Sequence, residues 1–127
     1  MRVAATLLIA DRNPHVRDFL KRELEVSGYR TRQAKDGRDL IRQIFSSEDV
    51  DLLILDPDLP DIEERFLLTK LRDRIPPMTI VIHELNDRSD SDYPEGFRPA
   101  ARVEKRGSSV ECLKQVVREL LVSTRGL

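Results

Sequence analysis

Two rhythms of apolar positions succeed each other along this chain. One is a short, nearly unbroken apolar run: residues 5–10 (Ala-Thr-Leu-Leu-Ile-Ala), 52–55 (Leu-Leu-Ile-Leu), 79–82 (Thr-Ile-Val-Ile) and a brief 101–103 (Ala-Arg-Val). Runs of this kind, bounded by turn formers, read as strands buried on both faces. Residues 29–34 read as a further, more polar strand. The other rhythm has the period of a helix. It covers Val16, Phe19, Leu20 and Leu24; then Leu40, Ile41, Ile44 and Phe45; then Phe66, Leu67 and Leu71; and last Val110, Leu113, Val117, Leu120 and Leu121. Each set lines one face of a predicted helix.

Punctuation residues fall between the runs. Asn13 and Pro14 predict the start of the first helix, and Gly28 its end. Asp36-Gly37 is read as a turn before the second helix. Asp61 with Glu64 is read as a cap-like start of the third, Pro76-Pro77 as a break, and Ser108 with Glu111 as the capping box of the last. Residues 86–99 are loop-like in composition, with Pro94, Gly96 and Pro99, where the alternation would place a helix.

Strands alternating with helices predict an α/β fold: one domain over residues 1–127, a doubly wound five-stranded parallel sheet with helices on both faces and an atypical fourth helix. In such sheets the site lies beyond the carboxyl ends of the strands. Asp11, Asp56, His83 and Lys105 are read as following strands one, three, four and five, so four polar groups from separate stretches converge on one rim.

Composition narrows the function. Lys plus Arg number 22 against 23 Asp plus Glu, which argues against direct nucleic-acid binding. A single cysteine, Cys112, allows no intrachain disulfide, and it is expected to be a small buried residue. Two histidines and one cysteine are too few for structural zinc. No apolar run approaches the ~20 residues of a membrane span, and the N-terminus carries no cleavage-type signal. No membrane association and a cytoplasmic location are expected.

These landmarks together resemble the response-regulator receiver (CheY-like) family. The stretches that carry the resemblance are Leu7-Leu8-Ile9-Ala10-Asp11-Arg12-Asn13-Pro14, Ser27-Gly28-Tyr29, Ala34-Lys35-Asp36-Gly37, the run from Asp51 to Pro60, and Lys105. The spacings of Asp11 to Asp56 and of His83 to Lys105 fit the family without gaps. The resemblance implies a flavodoxin-like strand order 2-1-3-4-5. It also implies that Asp56 accepts a phosphoryl group from a histidine kinase in a phosphorelay. Catalysis of that transfer is mostly positioning and charge stabilisation. A Mg2+ ion would be held by Asp11, Asp56 and the backbone carbonyl of Asp58. Lys105 would contact a phosphoryl oxygen, and His83 stands where the family has a Ser or Thr for another. The implied partners are a sensor histidine kinase or phosphotransfer protein, an output domain or protein, and, for some such domains, a second copy forming a homodimer.

The sequence departs from that pattern at several points. Arg12 replaces the second acid of the first loop. A +1 charge about 5 Å from a divalent ion repels it by roughly 2–7 kcal/mol, so weakened or lost magnesium binding is expected. One hypothesis is that Arg12 pairs with Asp11 or Asp56 and stands in for the metal. Arg102 takes the place of an aromatic, Arg106 that of a proline, and the fourth helix is broken. Blander readings compete. His83 is read as structural before it is read as a phosphoryl ligand, Arg102 as solvated or paired with a loop acid, and Asp87, Asp90 and Asp92 as a solvated loop and not a calcium site. Asp56 as a mere strand-end cap is set aside because of its register with Asp11 and Lys105.

Three classes of function follow. One is a phosphorylatable receiver, which is a phospho-acceptor and not an enzyme. The alternative is a pseudo-receiver, an interaction module not regulated by phosphorylation. An enzyme is disfavoured. Asp56-Pro57-Asp58 superficially resembles the acidic pair of haloacid-dehalogenase-type phosphatases, but Pro60 stands where those place Thr or Val. The first loop lacks the Ser/Thr/Gly-rich composition of a flavodoxin.

Overall fold

The computed structural model describes residues 4–46, 49–85 and 92–124. Five strands and four α-helices alternate in it: β1 Thr6–Ala10, α1 Pro14–Val26, β2 Arg30–Ala34, α2 Gly37–Ile44, β3 Leu52–Leu55, α3 Glu64–Arg72, β4 Ile80–Glu84, β5 Ala101–Glu104 and α4 Ser109–Thr124. The strands form one sheet in the order β2-β1-β3-β4-β5, all parallel. This is the predicted doubly wound architecture.

Period-two alternation within the buried strands decides which helix covers which face. Leu8, Ala10, Leu53, Leu55, Ile80 and Ile82 pack with Leu40 and Ile44 of α2 and with Leu67, Leu68 and Leu71 of α3. Leu7, Ile9, Leu52, Ile54 and Val81 pack with Leu20 and Leu24 of α1 and with Leu113, Val117 and Leu121 of α4. Every residue of β3 is buried, because β3 is central and covered on both sides.

Several local expectations hold. Asn13 caps α1 by accepting from the His15 N–H at 2.9 Å. Gly28, at φ 100°, takes the left-handed conformation that ends this helix. Others need correction. Gly37 is the first residue of α2, with Asp36 as its N-cap. Asp61 does not cap α3; its carboxylate accepts from the N–H groups of Gly37 and Arg38 at 2.6 and 3.0 Å, at the start of α2. Phe66 is half-exposed, and Leu68 takes the inner position beside Leu67 and Leu71. Phe19 and Phe45 likewise lie outside the core. Cys112 is exposed and not buried.

The expected break before β5 is seen where the chain is described. Residues 92–99 form no α-helix; a tight turn is closed there by Phe97 N–H donating to Pro94 carbonyl at 3.0 Å. Tyr93 and Phe97 are buried beneath it, their rings edge to face at 5.2 Å. Asp87 and Asp90 lie outside the described residues, and Asp92 is exposed.

Candidate functional site

The sheet brings three predicted site residues into direct contact. Asp11 immediately follows β1, Asp56 follows β3 and Lys105 follows β5. The Lys105 ammonium donates to Asp11 Oδ2 at 2.7 Å and to Asp56 Oδ2 at 2.6 Å. The side chains of Asp11 and Asp56 are only 3% and 11% exposed, so these charge-assisted bonds form largely away from water, where they are strongest. Burial disfavours the ammonium, but the two carboxylates outweigh it and hold the Lys105 pKa above its ordinary value.

The outer oxygens are held by backbone. Asp11 Oδ1 accepts from Asn13 N–H at 2.9 Å, and Asp56 Oδ1 from Asp58 N–H at 3.0 Å. Each acid thus closes its own loop while its second oxygen faces Lys105. The Asp58 side chain is exposed, outside this cluster; only its backbone belongs to the rim.

His83 lies within β4, one residue before its end, and not after it. It is buried, with Nε2 3.2 Å from Ser109 Oγ at the first residue of α4. Burial first, then the positive charge of Lys105, lowers its pKa to about 4 against the opposing pull of Asp56. The ring is therefore neutral at pH 7.

Arg12 is exposed and, among the described residues, makes no ion pair with Asp11 or Asp56. The hypothesis that it neutralises the acids is corrected: Lys105 does so. Arg17 is a neighbour that the sequence does not point to. Its Nη1 donates to the Asp11 carbonyl at 2.6 Å and its Nε to Gln33 Oε1 at 3.1 Å, bracing the loop after β1. Ser109 was equally hidden, since a serine opening a helix reads only as a cap. Arg102 is exposed, and its guanidinium lies 6.0 Å from the centre of the Tyr93 ring.

The donor set can be tested against a divalent ion. Among the described residues no group of three or more His, Cys, Asp or Glu side chains forms a cage. Two carboxylate oxygens do face a single point, the one now filled by the Lys105 ammonium. Two hard oxygens with a backbone carbonyl and several waters suit Mg2+, which keeps much of its hydration shell. The residues present fit the ion, provided Lys105 gives way.

A sequence model described as the response regulator receiver domain matches residues 7–97. The chain belongs to this family. Receiver domains are phospho-acceptor signalling modules of two-component systems, and this CheY-like chain is one of them. Over 69 residues, 54% of the chain, it is 38% identical to the sensor protein EvgS of Escherichia coli O157:H7, and the match spans 6% of that protein. The response regulator TrrA of Thermotoga maritima, solved with Mg2+-BeF, is 27% identical with a TM-score of 0.79, covering 91% of this chain and 98% of TrrA. In its complex with the histidine kinase ThkA, TrrA is 26% identical with a TM-score of 0.75, over 92% and 98% of the two chains. No helix among the described residues of this receiver is long and apolar enough to cross a membrane.

Proposed function

We propose that this receiver accepts a phosphoryl group on Asp56 from the phosphohistidine of a sensor histidine kinase or phosphotransfer protein, and that the modified state acts on an output domain or protein. What carries this reading is the position of Lys105, whose ammonium bridges Asp56 and Asp11. TrrA supports it, having been solved with Mg2+-BeF and with a histidine kinase. Residues 1–127 would form one receiver domain, working in the cytoplasm where such kinases present their phosphoryl groups.

The roles divide as follows. Asp56 Oδ2 attacks phosphorus, and the bond from phosphorus to the kinase imidazole nitrogen breaks. Lys105 leaves its carboxylate pair and places its positive charge against a phosphoryl oxygen as charge builds there. Asn13 and Asp58 N–H groups keep the two carboxylates aimed. Asp11, Asp56 and the Asp58 carbonyl would hold Mg2+, which supplies charge neutralisation between the approaching anions when bound. Neutral His83 would offer at most a hydrogen bond to the phosphoryl group, in place of a small hydroxyl.

The pseudo-receiver is the second reading, and one observation favours it. Metal entry requires Lys105 to yield, and Arg12 adds positive charge where an acid would help. Incubation with a small phosphodonor and Mg2+, followed by intact mass, separates the readings. A phosphoryl mass gain lost in Asp56→Asn is expected; no gain in the wild-type chain would replace the phospho-acceptor reading with the pseudo-receiver.

A further inference from the structure

A groove of about 370 Å3 lies on the outer surface between α2 and α3. α3 and the residue after it line the groove with Phe66, Thr69, Lys70 and Asp73, spaced i, i+3, i+4 and i+7. α2 and the residue after it contribute Ile41 and Phe45, one turn apart. These positions form a second stripe on each helix, beside the stripe of Leu40, Ile44, Leu67, Leu68 and Leu71 that packs on the sheet. A solvated stripe would be polar, but this one carries two aromatic rings. Phe45 is 50% exposed and Phe66 52%.

The two walls are tied together at one end. Arg74 donates from Nε to the Ile44 carbonyl at 3.0 Å and from Nη1 to the Pro76 carbonyl at 2.5 Å, which fixes the loop after α3 against the end of α2. Ile75, 91% exposed, stands in that loop, so more apolar surface gathers at the same end of the helix pair. Exposed apolar side chains gathered in one place, unlike scattered ones, mark an interaction surface. The charged lining is uneven. Asp73 is held by Arg72 Nε and Nη2 at 2.8 and 3.2 Å. Lys70 makes no ion pair or hydrogen bond among the described residues, and its ammonium lies 5.5 Å from the centre of the Phe66 ring. The rim of an apolar groove thus carries one cation that no carboxylate answers.

We propose that this groove docks an acidic amphipathic helix of a partner protein, its apolar side against Phe45 and Phe66 and a carboxylate against Lys70. Two helices side by side leave a trough that a third fills with anchors spaced i, i+4 and i+7. α2 has 8 residues and α3 has 9. They are therefore about 12–14 Å long, enough to seat roughly two turns of a third helix. Both walls are already fixed by core leucines, so docking orders little of this chain. A second copy of this chain suits the groove less. It would bring another unanswered Lys70, while its Asp73 is taken by Arg72. None of Asp11, Asp56 and Lys105 lines the groove, so docking does not depend on phosphoryl acceptance at Asp56.

Fluorescence anisotropy of the full chain with a labelled helical peptide, leucine at i, i+4 and i+7 and glutamate at the flanking positions, tests this. Saturable binding is expected, weakened by added salt. Phe45→Ser and Phe66→Ser should each weaken it roughly tenfold, while Val122→Ser, at an exposed apolar position of α4, should not change it. Lys70→Glu, at an exposed site, should weaken it to a similar degree and should bind the same peptide with lysine in place of glutamate more tightly than the wild-type chain does. Amide NMR shifts on peptide addition should cluster at residues 41–45 and 66–73, and the same spectra check that each variant stays folded. Absence of saturable binding, equal binding by the Phe45→Ser/Phe66→Ser double variant, or no charge swap with Lys70→Glu would overturn the proposal. So would a dimer of the chain alone in sedimentation equilibrium that Phe66→Ser dissociates, which would assign the groove to a second copy. Displacement of the peptide by octanoate at matching concentration would also overturn it, marking a small-ligand pocket.

Discussion

His83 Nε2 lies 3.2 Å from Ser109 Oγ, tying the end of β4 to the first residue of α4 beside the Asp56–Lys105 pair. Nδ1 of the same ring is buried and has no hydrogen-bond partner among the described residues. A buried bare lone pair is tolerated better than a buried orphan N–H. The proton of the neutral ring therefore sits on Nε2, donating to Ser109. Ser109→Ala leaves that donor unpaired and should cost about 1–2 kcal/mol in urea unfolding. Long-range 15N NMR of the His83 ring should report the Nε2–H tautomer in the wild-type chain.

The same residue sets an acid sensitivity. The folded His83 pKa is about 4, below the ordinary 6.5. As pH falls below 6.5 the unfolded chain takes up this proton and the folded one does not. The stability contributed by neutral, buried His83 is therefore full above pH 6.5 and is lost progressively on acidification to about pH 4. The whole effect is on the order of 3 kcal/mol. Urea unfolding at several pH values should show a shallower fall across this window in His83→Gln than in the wild-type chain.

Replacing Lys105 should reverse the slope locally. Lys105→Met leaves the Asp11 and Asp56 carboxylates facing each other with no cation between them. The variant should lose about 2 kcal/mol at pH 7, less than for a fully buried pair because the site is partly open. The folded state then binds a proton that the unfolded chain does not, so lowering the pH from 7 toward 4 should recover part of this loss. A stability deficit that stays constant over that range would contradict the shared-cation geometry.

Arg12 is the simplest site to alter. It is exposed and contacts neither acid, so Arg12→Asp should change stability by less than about 0.5 kcal/mol. It also turns a nearby positive charge into a negative one. Mg2+ affinity, followed by NMR shifts of the Asp11 and Asp56 loops, should rise about tenfold or more.

Asp61 joins two helices that sequence spacing treats separately. Its carboxylate accepts from two N–H groups at the start of α2, and against desolvation those bonds hold its pKa below the ordinary value. Asp61→Ala should cost about 1 kcal/mol in thermal or urea unfolding, the usual worth of a helix cap.

Much of this protein is local enough to be legible in a string of residues. The runs 52–55 and 79–82 read as strands covered on both faces, and the order of strands and helices then points to a doubly wound parallel sheet. Asp11, Asp56 and Lys105 follow from that, since a residue ending such a strand must lie on the rim. What the string leaves open is decided by packing across long sequence separations. The apolar rhythm admits Phe66 to the inner face of α3, yet α3 meets the sheet through Leu67, Leu68 and Leu71 and leaves the aromatic outside. Cys112 reads as core by composition, and the rotation of α4 exposes it. Asp61 spaced before Glu64 reads as a cap for α3, and only the approach of that loop to α2 reassigns it. Which cation neutralises the acids is likewise a tertiary matter: Arg12 is adjacent to Asp11 in the chain, but Lys105, 94 positions away, reaches it. Sequence sets local conformation and the side each residue prefers; where two distant side chains meet depends on how helices and strands settle against each other, and that information is spread over the whole core.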